Sequence, residues 1–154
     1  MRSFTILLLV ILLLLYFGYP KYEDYRFVEE VRKNMQTRLP ETPTIPGLPI
    51  TADIINEYPA TLITFYLTDL KYSDLTPALR IKLREEVKKI ACRNLEIIKN
   101  GGQEYKKAMI KILEEDHNSM TITVRGQNKE YITDHHQVLS ECRSFEDLKW
   151  SASN

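Results

Sequence analysis

The three histidines of the chain lie in two short segments that each begin with an aspartate, a combination that could bind a metal ion. Asp116-His117 is one such segment, and Asp134-His135-His136 is the other. Imidazole and carboxylate together are common zinc ligands, so His117, Asp134 and His135 are the candidate ligands of a metal-assisted hydrolase. Neighbouring residues of a strand point to opposite faces, however, so His135 and His136 cannot both bind one ion on a regular strand. Solvated histidines in surface turns are the competing interpretation.

Other signatures of catalysis are absent from the sequence. Neither the G-x-S-x-G motif of serine nucleophiles nor a glycine-rich phosphate-binding loop occurs. We therefore expect a non-catalytic protein without a cofactor or a bound metal, and the metal-assisted hydrolase stays as the alternative.

The two cysteines, Cys92 and Cys142, are expected to form a disulfide, because their number is even and no C-x-x-C pair indicates a redox or metal role for either thiol. The bond would close a loop of about 50 residues and contribute roughly 4 kcal/mol in the chain-entropy model. On an unbroken helix Cys92 points away from the apolar stripe around Val87 and Ile90. Either the helix bends near Ala91, or the C-terminal segment wraps over its outer side.

The elements that must position these residues begin with an apolar N-terminal segment. Residues 4–19 carry no charge. Bulky Tyr16, Phe17 and Tyr19 stand where a signal-peptide cleavage site would need small residues. We therefore predict an uncleaved transmembrane signal-anchor over residues 1–20, and a cleaved signal peptide is the alternative.

The charges that flank this run bear on its orientation. Lys21, Arg26, Arg32 and Lys33 follow it and Arg2 precedes it, and by the positive-inside count this opposes export. The count governs short loops, whereas long domains cross largely regardless of charge. Because a disulfide persists in oxidising compartments, we predict a single-pass inner-membrane protein with its C-terminal domain in the periplasm.

Composition limits the partners that the chain can attract. Twenty-one basic residues balance twenty-one acidic ones, so no net field draws the protein to nucleic acid. The residues after the anchor suffice for one domain. We expect the membrane and a protein of the cell envelope as partners, and no nucleic acid. The oligomeric state stays open.

Four segments are predicted to follow the anchor. Residues 21–39 have the spacing of a juxtamembrane helix. Prolines at every third position then favour an extended spacer, so residues 40–50 are predicted as a proline-rich linker that holds the domain off the membrane. Residues 51–150 form the predicted periplasmic domain, and residues 151–154 a disordered tail.

Periodicity predicts an α+β domain in which a long helix packs on an antiparallel sheet. Residues 61–68 alternate as a strand. A helix-start signal, Thr76-Pro77, precedes an apolar stripe at helical spacing that ends at Gly101-Gly102. Three further strands are predicted, around Ala108–Ile112, Met120–Val124 and Tyr131–Thr133.

Partner binding is predicted on the sheet face opposite the long helix or on an exposed edge strand, which could accept a strand from a partner. The sheet face is predicted to carry Thr121, Thr123 and Arg125 of one strand and Lys111 of the preceding strand. Such a mixture of hydroxyl groups, charges and some apolar surface is typical of transient protein interfaces. These four residues are therefore the predicted partner-binding residues.

Two parts of the chain resemble families of envelope proteins. Phe4-Thr5 and the closing Pro20-Lys21-Tyr22-Glu23-Asp24-Tyr25 resemble the N-terminus of type IV pilins and pseudopilins. Between Leu62 and Cys142, a strand, a helix bearing Cys92 and a strand meander are similar to the disulfide-bonded pilotins of type II secretion. The resemblances imply an accessory component of an envelope, secretion or pilus assembly. An exported inhibitor or immunity-type binding protein is the alternative.

Overall fold

The computed structural model describes residues 2–37, 50–67 and 69–153, with side chains from residue 20 onwards apart from that of Ile50. The predicted proline-rich linker, up to residue 49, and the side chains of the predicted anchor, up to residue 19, lie outside the described residues. Over the part of the chain whose side chains are described, no helix is long and apolar enough to cross a membrane.

Helix α1 extends from Arg2 to Thr37 and includes Pro20. Its last turns direct an apolar face at the rest of the molecule, because Val28 and Val31 are buried and Met35 packs beside them. Spacings of three and four residues place these side chains on one side of the helix. The predicted juxtamembrane helix is thus the end of a longer helix, and its last turns belong to the folded domain.

Four strands form one sheet in the order β1-β2-β3-β4. They are β1 Ile50–Glu57, β2 Ala60–Leu67, β3 Ser119–Arg125 and β4 Tyr131–Val138. β1 pairs antiparallel with β2, and β3 with β4, whereas β2 and β3 run parallel. The prediction of an antiparallel sheet is therefore wrong for its central pair. Residues 69–118 belong to the crossover connection that parallel neighbours require.

Helix α2, Pro77–Lys99, confirms the predicted long helix and its start. The Thr76 hydroxyl accepts a hydrogen bond from the backbone N–H of Leu79 (3.3 Å), and Pro77 occupies the first turn. The stripe of α2 that packs on the sheet comprises Leu83, Val87, Ile90 and Ala91. The sheet contributes to this first hydrophobic core chiefly through Ile63, Phe65, Met120, Ile122 and Val124.

Helix α3, Gln103–Glu115, replaces the strand predicted from the alternation of Ala108, Ile110 and Ile112. The residues that it buries have helical spacing: Ala108, Met109, Ile112 and Leu113. A short apolar run fits both periods, so composition decides between them. The Glu, Lys, Ala, Met and Leu residues of this segment favour a helix over a strand.

Helix α4, Arg143–Ser153, buries Phe145 and Leu148. The prediction of a disordered tail is wrong for residues 151–153, which continue this helix. Lys106 of α3 helps to hold them, because its ammonium group donates to the carbonyl oxygen of Ser151 (3.4 Å). Helices α3 and α4 enclose a second hydrophobic core with the ends of α1 and α2.

Cys92 and Cys142 form a disulfide, which confirms the predicted pairing, and their Cα atoms are 5.7 Å apart. Helix α2 continues past Ala91. Helix α4 packs against α2, and the Ser144 hydroxyl donates a hydrogen bond to the carbonyl oxygen of Cys92 (3.2 Å). Of the two arrangements that the sequence allows, the wrapping C-terminal segment is the one observed.

Candidate functional site

The sheet face opposite α2 is accessible to solvent, and we call it the open face. Alternation along the strands brings to it Thr51, Asp53 and Ile55 of β1, Leu62, Thr64 and Tyr66 of β2, Thr121, Thr123 and Arg125 of β3, and Asp134 and His136 of β4. None of these residues is buried, whereas Ile63 and Ile122 on the other face are almost fully buried. The open face therefore combines hydroxyl, charged and apolar groups.

An apolar patch occupies the β1 side of the open face. Ile55 pairs with Leu62, and 52% of the Ile55 surface is exposed. The same row continues to Thr121 and His136, whose Oγ1 and Nδ1 atoms lie 3.0 Å apart. At one end this row offers an apolar contact to a binding partner, and at the other end it offers hydrogen-bonding groups.

Two aspartates of the open face, one on each edge strand of the sheet, each accept a hydrogen bond from a tyrosine. The Tyr66 hydroxyl donates to Asp53 (3.0 Å), and the Tyr131 hydroxyl donates to Asp134. Each hydrogen bond raises the pKa of its tyrosine, because the nearby carboxylate favours the protonated phenol. Both tyrosines are therefore donors at neutral pH, and they orient the two carboxylates.

A depression of about 450 Å³ lies where the open face meets the turn between β3 and β4. Its lining residues are Thr51, Asp53, Tyr66, Gly126, Gln127, Asn128 and Lys129. The Arg125 guanidinium donates to the carbonyl oxygen of Lys129 (3.0 Å). The depression is thus lined by one acidic residue, Asp53, and one basic residue, Lys129.

The turn between β3 and β4 has a constrained backbone. Asn128 and Lys129 have φ angles of 60° and 62°, in the left-handed region that L-residues seldom adopt. The backbone N–H of Gln127 donates to the carbonyl oxygen of Leu70 (2.8 Å). A Cβ atom at Gly126 would lie 2.5 Å from the same oxygen. The turn is therefore held against the segment that follows β2, and only glycine fits at its start.

Lys111 does not lie on the open face, although the sequence predicted it there with Thr121, Thr123 and Arg125. It belongs to α3, where its ammonium group lies 3.9 Å from a carboxylate oxygen of Glu115. The other three residues share the open side of β3, as predicted from the alternation. The error follows from assigning residues 108–112 to a strand.

The residues considered as metal ligands are not gathered in one place. Asp134 and His135 are consecutive in β4, so their side chains face opposite sides of the sheet. His117 precedes Ser119, the first residue of β3, while His135 pairs with Ile122, about 10 Å further along that strand. Among the described residues, no group of three or more His, Cys, Asp or Glu side chains is placed to hold a metal ion.

A second polar cluster joins α1 to the domain, and we call it the Arg32 clasp. The Nε atom of Arg32 donates to Asp116 (2.7 Å), and its Nη2 atom donates to Glu115 (2.8 Å). Glu29 of the same helix accepts from Nη1. The Tyr58 hydroxyl donates to Asp116 as well. Only 18% of the Arg32 side chain is exposed, so solvent screens the pair less than it screens a surface pair.

Burial and pairing shift the pKa values within the Arg32 clasp. Burial alone would raise the pKa of Asp116, but hydrogen bonds from Arg32 and Tyr58 outweigh it and leave that pKa below its ordinary value. Burial, with the hydrogen bond to Asp116, raises the pKa of Tyr58 to about 12. The hydrogen bond with Asp116 also raises the pKa of Arg32. At neutral pH the clasp is an ion pair with a neutral tyrosine.

Sequence reasoning does not identify the Arg32 clasp, because Arg32 and Asp116 are 84 positions apart. One usable signal exists: Arg32 directly follows Val31, at the edge of the buried stripe of α1. A second connection lies nearby, where the Asn56 amide donates to the carbonyl oxygen of Met35 (2.9 Å). That oxygen is among the last carbonyl groups of the helix, which have no partner within it.

The chain matches no protein-family model, no curated protein and no solved structure. Its function must therefore be inferred from the open face, the Arg32 clasp and the pattern of the sequence.

Proposed function

We propose that this protein is a membrane-tethered, non-catalytic interaction domain on the periplasmic side of the inner membrane. It serves as an accessory component of an envelope, secretion or pilus assembly, and the open face is its partner-binding surface. The N-terminal helix holds the domain at the membrane, and the domain itself binds a protein.

The observation that carries this proposal is the preorganised, mixed chemistry of the open face. Its middle row runs Asp53, Thr64, Thr123, Asp134, with an acid at each end and hydroxyl groups between them. Tyr66 holds Asp53 in place. Groups that are already ordered lose less entropy when a partner binds, so such a surface binds more tightly than a flexible surface of the same area.

The chemistry of the open face also indicates the kind of partner. Ile55 and Leu62 offer an apolar contact near the β1 edge. Asp53 on β1 and Asp134 on β4 favour basic side chains of the partner near the two edges of the sheet. We therefore expect a protein surface with an apolar residue opposite Ile55 and Leu62 and basic residues opposite the two aspartates.

Two further observations support the proposed location. The uncharged run over residues 4–19 suits a bilayer better than water. The bond between Cys92 and Cys142 suits an oxidising compartment, where disulfides persist.

Charge reversal on the open face tests the proposal. Asp53→Lys and, separately, Thr64→Arg place a positive charge against the basic residues expected on the partner. Each should abolish crosslinking of the full-length protein to an envelope protein in intact cells. Lys111→Glu is the matched control, because Lys111 is exposed on α3 and away from the sheet. All three variants should melt within a few degrees of the wild type. Equal crosslinking by all variants would refute the open face as the partner site.

The identity of the crosslinked protein decides between two versions of the proposal. A component of an export or pilus assembly supports the accessory role. An exported enzyme or toxin instead supports an inhibitor or immunity-type protein that uses the same face.

A further inference from the structure

Two turns of α1 between the domain and the apolar run expose aromatic side chains. Residues 20–27 are all exposed, and burial begins at Val28. The exposed fractions are 58% for Tyr22, 57% for Tyr25 and 39% for Phe27. Tyrosine has an apolar ring and a polar hydroxyl, which suits the boundary between hydrocarbon and water.

The charges of this segment indicate which kind of surface it meets. Lys21 and Arg26 balance Glu23 and Asp24, so the segment has no net charge. The guanidinium carbon of Arg26 lies 5.9 Å from the centre of the Tyr22 ring. Attraction to anionic lipid therefore contributes little, and the aromatic rings supply the affinity for the interface.

Helix dimensions place the two tyrosines at the edge of a bilayer. Residues 4–19 cover about 24 Å as a helix, which is less than the roughly 30 Å of hydrocarbon. Tyr22 lies about 4.5 Å beyond Tyr19 along the axis, and Tyr25 about 9 Å beyond it. When the apolar run spans the hydrocarbon, both rings reach the headgroup layer.

The domain cannot pivot freely about this segment. Val28 and Val31 are buried in the second core, and Arg32 binds Asp116 one turn later. Val28 lies about 14 Å beyond Tyr19 along the helix. The distance between bilayer and domain is therefore set by α1 and not by the proline-rich segment.

We propose that residues 20–27 are a bilayer-interface segment, with Tyr22 and Tyr25 in the headgroup layer of a zwitterionic phospholipid membrane. The segment holds the domain close to the membrane in one orientation. This inference rests on the proposed membrane tether, which it deepens by assigning the contact residues.

Depth-dependent fluorescence quenching tests the proposal. Trp150 is first replaced by phenylalanine, and Tyr22→Trp or Tyr25→Trp then provides the only indole of the full-length protein. The protein is reconstituted in phosphatidylcholine vesicles whose acyl chains carry bromine near the headgroup or near the bilayer centre. Tyr66→Trp, on the open face, is the matched control.

Bromine near the headgroup should quench the indoles at positions 22 and 25, with less quenching by bromine at the centre and none for the control. Adding phosphatidylglycerol should not increase the quenching, because the segment is neutral. If the protein floats with the vesicles but these indoles are not quenched, the interface segment is refuted while the tether stands. A second copy of the chain would then be the alternative that covers the rings. If the protein does not float with the vesicles, the tether itself fails.

Discussion

Arg32 and Asp116 lie 84 positions apart in the sequence, yet the Arg32 Nε atom is 2.7 Å from a carboxylate oxygen of Asp116. The contact joins the helix that enters the domain to the C-terminal end of α3. Tyr58, from the turn between β1 and β2, donates to the same carboxylate. One aspartate thus connects three segments, and α1 is part of the folded unit.

Removal of the arginine should destabilise the domain. Arg32→Met leaves the partly buried Asp116 carboxylate without its cation and should lower the free energy of unfolding by about 1–3 kcal/mol. Combined with Asp116→Asn, it should show a coupling energy of about 0.5–3 kcal/mol in a double-mutant cycle. Lys33→Met is the control, because Lys33 is exposed on the same helix. Additive single effects in urea denaturation would mean that the pair contributes nothing.

The clasp also predicts a loss of stability in acid. The pKa of Asp116 is lower in the folded state than its ordinary value near 4. The stabilisation by its carboxylate is therefore complete above that value and disappears as the pH falls through the folded-state pKa. The stability advantage of the wild type over Asp116→Asn should shrink below about pH 4. Unfolding measured across this range checks it, and a constant advantage would contradict the shift.

The disulfide should contribute a large part of the stability. Replacing Cys92 and Cys142 together by alanine should lower the free energy of unfolding by about 2–5 kcal/mol. Ser144→Ala is the control, since it removes only the hydrogen bond to the carbonyl oxygen of Cys92. Thiol labelling of freshly extracted, denatured protein should find no free cysteine. Two labelled thiols would place the domain in a reducing compartment and reverse the proposed topology.

Gly126 should resist substitution, because a Cβ atom there would meet the carbonyl oxygen of Leu70. Gly126→Ala should cost about 1–3 kcal/mol through displacement of the turn. Gly102→Ala offers a matched comparison, since a Cβ atom at Gly102 meets nothing within 4 Å. Thermal melts of the two variants check the difference. Equal melting temperatures would show that the turn moves without strain.

Local patterns predicted the parts of the fold that bury one face at a regular period. Strand β2, strand β3 and helix α2 each have an apolar stripe with clear limits, and Thr76-Pro77 marks the start of α2. Helix α3 was open to error, because Ala108, Ile110 and Ile112 fit a strand while the buried set fits a helix. Composition over the whole segment was the better guide.

Contacts between distant segments could not be predicted in the same way. The parallel pairing of β2 with β3 depends on how the connection between these strands packs in three dimensions. That connection contains α2 and α3, and no local pattern encodes its path. The Arg32 clasp depends on the same packing. For the open face, the alternation of β3 predicted Thr121, Thr123 and Arg125 correctly, but their neighbours come from strands whose order only the fold defines.

Site-specific photo-crosslinking tests the central claim, that the open face binds a protein partner. A photoreactive residue replaces Thr64, in the middle row of the open face, or Lys89, on the exposed side of α2. After irradiation of intact cells, we expect a discrete adduct with one envelope protein from position 64 and none from position 89. An adduct from position 89 alone, or equal adducts from both positions, would contradict the claim.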